Sequence, residues 1–170
     1  GSFHLDAEEE YYSDPYWTAY RLNPKFVNCV FRDNRVSSSN STVSGGAFYL
    51  DEASPIFESC VFDSNYAMSG GAIAVVGNPE TYRDTLWIRN STIKNNAVSD
   101  SENPGHGARG GGVSFNNGIN AMIYNSVFEN NAAVSYSNSG GGVYGGGLDV
   151  DNQWSAQLNP MVWIVNSRFS

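Results

Sequence analysis

Phe26-Val27-Asn28-Cys29-Val30-Phe31-Arg32-Asp33-Asn34 comes back as Phe57-Glu58-Ser59-Cys60-Val61-Phe62-Asp63-Ser64-Asn65. The phrase returns as Ile88-Arg89-Asn90-Ser91-Thr92-Ile93-Lys94-Asn95-Asn96 and as Ile123-Tyr124-Asn125-Ser126-Val127-Phe128-Glu129-Asn130-Asn131. A fifth copy, Ile164-Val165-Asn166-Ser167-Arg168-Phe169, stops short of the final Asn. Successive copies start 31, 31, 35 and 41 residues apart. A glycine phrase falls between them: Gly45-Gly46-Ala47-Phe48, Gly70-Gly71-Ala72-Ile73, Gly111-Gly112-Val113, and then either Gly141-Gly142-Val143 or Gly145-Gly146-Gly147-Leu148. Constant words separated by growing spacers are the signature of stacked units, whose insertions bulge from one unit without disturbing the stack.

The apolar runs within each unit are short, such as Ala47 to Leu50 and Ala72 to Val76, and end at Asn, Gly, Ser or Asp. These are strand signals, and no window carries helical periodicity with caps at both ends. The chain therefore reads as all-β: a right-handed, single-stranded parallel β-helix of about five coils. Each coil is expected to add one strand to each of three sheets, and five coils spaced about 4.8 Å apart make a rod on the order of 24 Å long. Like residues then pile into columns. Phe26, Phe57, Ile88, Ile123 and Ile164 form one inward column, and Phe31, Phe62, Ile93, Phe128 and Phe169 a second. The two positions lie five residues apart, so strand alternation cannot put both inside without a bend between them.

Asn28, Ser59, Asn90, Asn125 and Asn166 occupy that bend. Asparagine accepts the left-handed conformation of a sharp corner, and its amide can bond the coils above and below. The column is thus expected to be a buried polar ladder, repeated by Asn34, Asn65, Asn96 and Asn131 at the next corner. The double glycines mark positive φ or close backbone approach.

Alternating Gly-Gly-Ala-Ile and Phe-x-x-Asn motifs resemble the polymorphic outer-membrane protein repeats of chlamydial autotransporters. Gly45-Gly46-Ala47-Phe48 and Gly70-Gly71-Ala72-Ile73 carry the first motif. Phe31-Arg32-Asp33-Asn34, Phe62-Asp63-Ser64-Asn65 and Phe128-Glu129-Asn130-Asn131 carry the second. Ile93-Lys94-Asn95-Asn96 departs by one apolar swap, and the later glycine motifs read Gly-Gly-Val. The resemblance covers about residues 26 to 170. It implies a secreted or surface-displayed β-helical passenger, commonly an adhesin, whose partner is a host-cell or neighbouring surface protein or glycan. No translocating barrel is visible in the sequence.

Bulk properties narrow the function classes. The 170 residues are 41% apolar and 15% charged, with a net charge of −8. That charge argues against nucleic acid, which needs a basic stripe. No apolar run is long enough for a membrane-spanning helix. Gly1-Ser2 reads as an expression scar, and Ser170 falls in mid-phrase, so a segment of a longer chain is expected. Residues 1–22, with Glu8-Glu9-Glu10 and a run of tyrosines, read as a cap or a degenerate coil; residues 23–170 read as the repeats.

Chemistry is sparse. Gly105-His106-Gly107 matches one signature of polygalacturonase-like hydrolases, but the carboxylate pairs that glycoside hydrolysis needs are missing. Asp149 and Asp151 share a strand face and precede Asn152, an oxygen set that could hold calcium, although a solvated strand edge explains them better. No catalytic residue, cofactor site or metal site is assigned. Cys29 and Cys60 hold one place in adjacent coils, and Ser91, Ser126 and Ser167 continue their column. The site wants a small buried residue, which favours two free thiols over a bridge. Two glycosylation sequons occur, Asn40-Ser41-Thr42 and Asn90-Ser91-Thr92. Asn40 lies in a Ser-rich spacer and is the glycosylation candidate; Asn90, in the corner column, is expected to be buried and bare. The expected function is a non-catalytic extracellular adhesin-like segment, with long spacers at 97 to 109 and 132 to 139 on one side. The alternatives are a structural subunit that self-associates end to end, and a β-helix that binds or cleaves polysaccharide.

Overall fold

The computed structural model describes residues 3–6, 23–39, 43–51, 53–77, 85–101, 107–116, 119–136, 142–151 and 161–170. Among these residues there are twenty strands and no helix, and every strand pairing is parallel. The chain is a parallel β-helix of five coils.

Three five-stranded sheets form its main faces. The first face stacks Phe3–Asp6, Phe48–Asp51, Ile73–Val76, Val113–Asn116 and Leu148–Asp151. The second stacks Lys25–Val27, Ile56–Glu58, Thr85–Arg89, Asn120–Tyr124 and Val162–Val165. The third stacks Val30–Arg32, Val61–Asp63, Thr92–Lys94, Val127–Glu129 and Arg168–Phe169. Residues 3–6, from the stretch read as a cap or degenerate coil, are the outermost strand of the first face, with Phe3 beside Phe48.

Both expected apolar columns form in register. Phe26 pairs with Phe57, Phe57 with Ile88, Ile88 with Ile123 and Ile123 with Ile164. Phe31, Phe62, Ile93, Phe128 and Phe169 pair likewise. Rings stack along the columns, Phe26 on Phe57 at 5.2 Å and Phe31 on Phe62 at 5.0 Å between centroids. Across the axis they meet edge to face, as Phe48 and Phe57 do at 4.9 Å. That mixture suits aromatic quadrupoles, and it fills the interior with fully buried side chains.

The glycine phrase closes each coil onto the first face. Gly70 takes φ 59°, and a Cβ on Gly71 would sit 2.1 Å from the Gly111 carbonyl oxygen of the next coil. Leu148 pairs with Val113, so Gly145-Gly146-Gly147 is the in-register fourth copy; Gly142 belongs elsewhere in the coil.

Among the described residues, the second, third and fourth coils carry more strands than the three-sheet expectation allowed. Tyr66–Ala67, Ala97–Ser99 and Ala132–Val134 form a fourth sheet, and Ala108–Arg109 pairs with Val143–Tyr144. The long spacers are therefore not wholly free loops: backbone polar groups that leave the third face still need partners, and the neighbouring coil supplies them. Buried Asp100 ties two spacers together by accepting from Ser135 Oγ at 2.6 Å and from the Tyr136 amide at 2.7 Å.

The two corners depart from expectation together. Asn28, Ser59, Asn90, Asn125 and Asn166 are left-handed, with φ from 49° to 55°, as a sharp bend requires. They are not buried, however; all five are exposed to solvent. Asn125 Nδ2 still donates to Asn90 Oδ1 at 3.2 Å, so the column touches, but on the outside. The buried member of this corner is the next residue. Ser91 Oγ accepts from the Cys60 amide at 3.0 Å and donates to the Arg89 carbonyl at 2.7 Å. Ser126 and Ser167 repeat the pattern. At the second corner the left-handed residues are Asp33, Ser64, Asn95 and Asn130, each one place before the asparagine. Those asparagines are the inner ladder. Asn65 Nδ2 donates to Asn96 Oδ1 at 2.9 Å and to the Phe31 carbonyl at 3.0 Å, while Asn96 Oδ1 also accepts from the Asn65 amide at 2.9 Å. Asn34, Asn96 and Asn131 extend the chain of amides in both directions. Corner bending and inner bonding are two jobs held by neighbouring residues, because a side chain carried on a left-handed corner points away from the axis.

Candidate functional site

Alternation along the second face decides what reaches its surface. In Thr85–Arg89 and Asn120–Tyr124, Leu86, Ile88, Ala121 and Ile123 face the core and are fully buried. Their partners Trp87, Arg89, Met122 and Tyr124 face out, because successive strand residues point to opposite sides. Stacking aligns these outward residues. Trp87 lies beside Met122 and Met122 beside Trp163; Arg89 lies beside Tyr124 and Tyr124 beside Val165. The Trp87 and Tyr124 rings run nearly parallel, 16° apart with centroids at 6.2 Å. The Arg89 guanidinium lies over Trp87, 4.3 Å from the ring centre. Tyr124 OH reaches Met122 Sδ at 3.6 Å. The result is an outer strip of π-faces and polarizable sulfur, three coils long. Trp163 is the most exposed ring of the strip, at 38%.

Beside it the surface is charged. Lys25 Nζ lies 2.6 Å from Glu58 Oε2, and this contact holds the Glu58 carboxyl below the ordinary carboxylate range. On the third face, Arg32, Asp63, Lys94 and Glu129 follow one another in register with alternating sign. Asp63 Oδ1 accepts from Asn95 Nδ2 at 2.9 Å, and Asp63 Oδ2 lies 3.2 Å from Arg32 and 3.7 Å from Lys94. The Asn95 hydrogen bond is the largest cause holding its carboxyl low, with Ser64, Lys94 and Arg32 adding to it. Asp63 is buried but its cationic partners Arg32 and Lys94 are open to solvent, which screens the pairing, so this ladder mainly disfavours coils slipped out of register.

A second apolar feature lies at the ends of the stack. Every large hydrophobic side chain that is well exposed among the described residues is there: Phe3, Val27 and Val30 at one end, and residues between Val134 and Phe169 at the other. Among the described residues the middle coils expose none.

The remaining candidates from the sequence fall as follows. Cys29 and Cys60 are free thiols. Cys60 is buried and Cys29 half-buried, and desolvation is the main cause that pushes the Cys60 thiol up from its ordinary pKa. Asp149 and Asp151 stack beside Ser114 and Asn116. Among the described residues no three His, Cys, Asp or Glu side chains converge on a point that could hold a metal ion. No described helix is long and apolar enough to cross a membrane. Asn40, His106 and Asn152 lie outside the described residues. The outward aromatic strip was missed in the sequence, although the period-2 pattern of Leu86-Trp87-Ile88 and Ala121-Met122-Ile123 carries it. No protein-family model, no curated protein and no solved structure matches the chain.

Proposed function

We propose that the chain is a non-catalytic, extracellular β-helical recognition segment of adhesin type, which holds a surface ligand against the outer strip of its second face. The observation that carries this reading is the alignment of Trp87, Met122, Tyr124 and Trp163 on a rigid sheet. Aromatic rings contribute large contact area at little cost in side-chain entropy, and they dominate binding hot spots. The strip is pre-formed, since each side chain is fixed by the one stacked on it, so little ordering is left to oppose binding. Its ligand is a protein or glycan of a host cell or neighbouring surface. Binding to cells and to a glycan array, read for the wild type and for Trp87→Ala, Tyr124→Ala and Trp163→Ala, tests the proposal. A tenfold or larger loss is expected for the combined variant; unchanged binding by a folded variant overturns the assignment.

A specific observation favours a second reading, a structural subunit that associates end to end. The exposed apolar side chains gather at the two ends of the stack, where the strand edges are also open. Sedimentation velocity distinguishes the two. Concentration-dependent linear oligomers that Phe169→Asp abolishes would favour assembly; a monomer that still binds cells would favour recognition.

A further inference from the structure

We infer that Asn90 is an acceptor site for an N-linked glycan. Asn90-Ser91-Thr92 has the sequon pattern, and burial was the one reason to discount it. The structure removes that reason, because Asn90 stands on the exposed corner between the second and third faces. Its φ of 50° throws the side chain outward from the bend. Its Oδ1 accepts from Asn125 Nδ2, and no described residue hydrogen-bonds its own Nδ2. The buried amide role belongs to Asn65 and Asn96 at the other corner, so a glycan on Asn90 interrupts no inner ladder. Thr92, which supplies the third-position hydroxyl, occupies an outward site on the third face between Val61 and Val127.

The same corner contains its own negative controls. Asn28-Cys29-Val30, Asn125-Ser126-Val127 and Asn166-Ser167-Arg168 share the left-handed geometry but lack the third-position hydroxyl. Only the third coil carries an acceptor in this column. The donor is a polyprenyl-diphosphate oligosaccharide. Asn90 Nδ2 bonds to the anomeric carbon of the first sugar, the bond from that carbon to the diphosphate oxygen breaks, and polyprenyl diphosphate leaves. The amide proton passes to a base of the transferase. The inference rests on the extracellular reading proposed above: transfer would take place on the unfolded chain as it enters a secretory pathway, and the open corner would let the coil close afterwards with the sugar outside. The glycan would stand beside Arg89 and Trp87, at the margin of the aromatic strip.

The test is secretion of the chain from a glycosylating eukaryotic cell, followed by peptide-N-glycosidase treatment in ¹⁸O water and peptide mapping. The expected result is heavy-oxygen Asp at position 90 and unmodified Asn at 28, 125 and 166. Asn90→Ser and Thr92→Val should each remove one glycan, while Thr92→Ser should keep it. Both removal variants use residues the repeat already carries there: Ser59 takes the same corner at φ 55°, and valine flanks Thr92 on both sides. Folded protein, secreted or retained in the cell, with an unmodified Asn90 peptide would overturn the proposal. So would a glycan found on Asn40 alone.

Discussion

The two corners use the same pair of devices in the same order, a left-handed turn followed by an inward-bonding residue, but asparagine holds opposite roles in them. At the first, an exposed Asn or Ser makes the left-handed turn, and a small buried Cys or Ser bonds inward. At the second, an exposed Asp, Ser or Asn turns, and a buried Asn bonds inward. The difference lies in reach. A hydroxyl at the first corner meets one amide and one carbonyl, whereas an amide at the second binds the coils on both sides. Asparagine is therefore a surface residue in one column and a core residue in the other, and substitutions should separate the two.

The largest effect is expected at Asn96. Asn96→Ala removes its side-chain bonds to the Phe62 carbonyl and to Asn131 Oδ1, strands the Asn65 amide, and leaves Asn65 Nδ2 with the Phe31 carbonyl alone. Leaving buried polar groups unpaired should cost about 3 kcal/mol or more, read as a shift in the urea midpoint. Ser91→Ala at the first corner loses one acceptor and one donor and should cost about 1–2 kcal/mol in the same titration. Asn90→Ala, which keeps every inner bond but puts alanine at φ 50°, should cost about 1 kcal/mol, and Asn90→Gly should recover nearly all of it. If Asn90→Ala proves as costly as Asn96→Ala, the division of labour between the corners is wrong.

The smallest effect is electrostatic. Asp63 and Glu58 have folded-state pKa values held below their unfolded values. The unfolded chain thus binds their protons first on acidification, and the stability they add is present above the ordinary carboxylate range, about pH 4, and lost as pH falls below it. Asp63→Asn should flatten that acid limb of a stability–pH curve by lowering the plateau near neutrality, where the contribution of Asp63 is fully present.

Much of this architecture was legible in the sequence. The constant offset between Phe26 and Phe57, or Phe31 and Phe62, is the register itself, and the five-residue gap between the columns required a bend at Asn28-Cys29. The burial of the bend was not legible from asparagine alone, since both columns hold the same residue for different reasons. The neighbours carried the missing signal. A run of Cys, Cys, Ser, Ser and Ser after the first column marks a small inward site. A run of Asp, Ser, Asn and Asn before the second marks an outward turn. The fourth sheet at Tyr66, Ala97 and Ala132 was hidden because strands of two or three residues leave almost no periodicity. The aromatic strip was hidden because Trp87 and Tyr124 look like core residues until alternation assigns their side.

The inner amide ladder is the most direct witness to coils stacked in register. Side-chain amide NOESY spectra on isotopically labelled protein should show cross-peaks that link Asn34 to Asn65, Asn65 to Asn96 and Asn96 to Asn131, with slow hydrogen exchange at Asn65 and Asn96 and fast exchange at Asn90. Spectra in which Asn65 and Asn96, 31 residues apart in the chain, share no cross-peak and exchange as fast as Asn90 would contradict the stack.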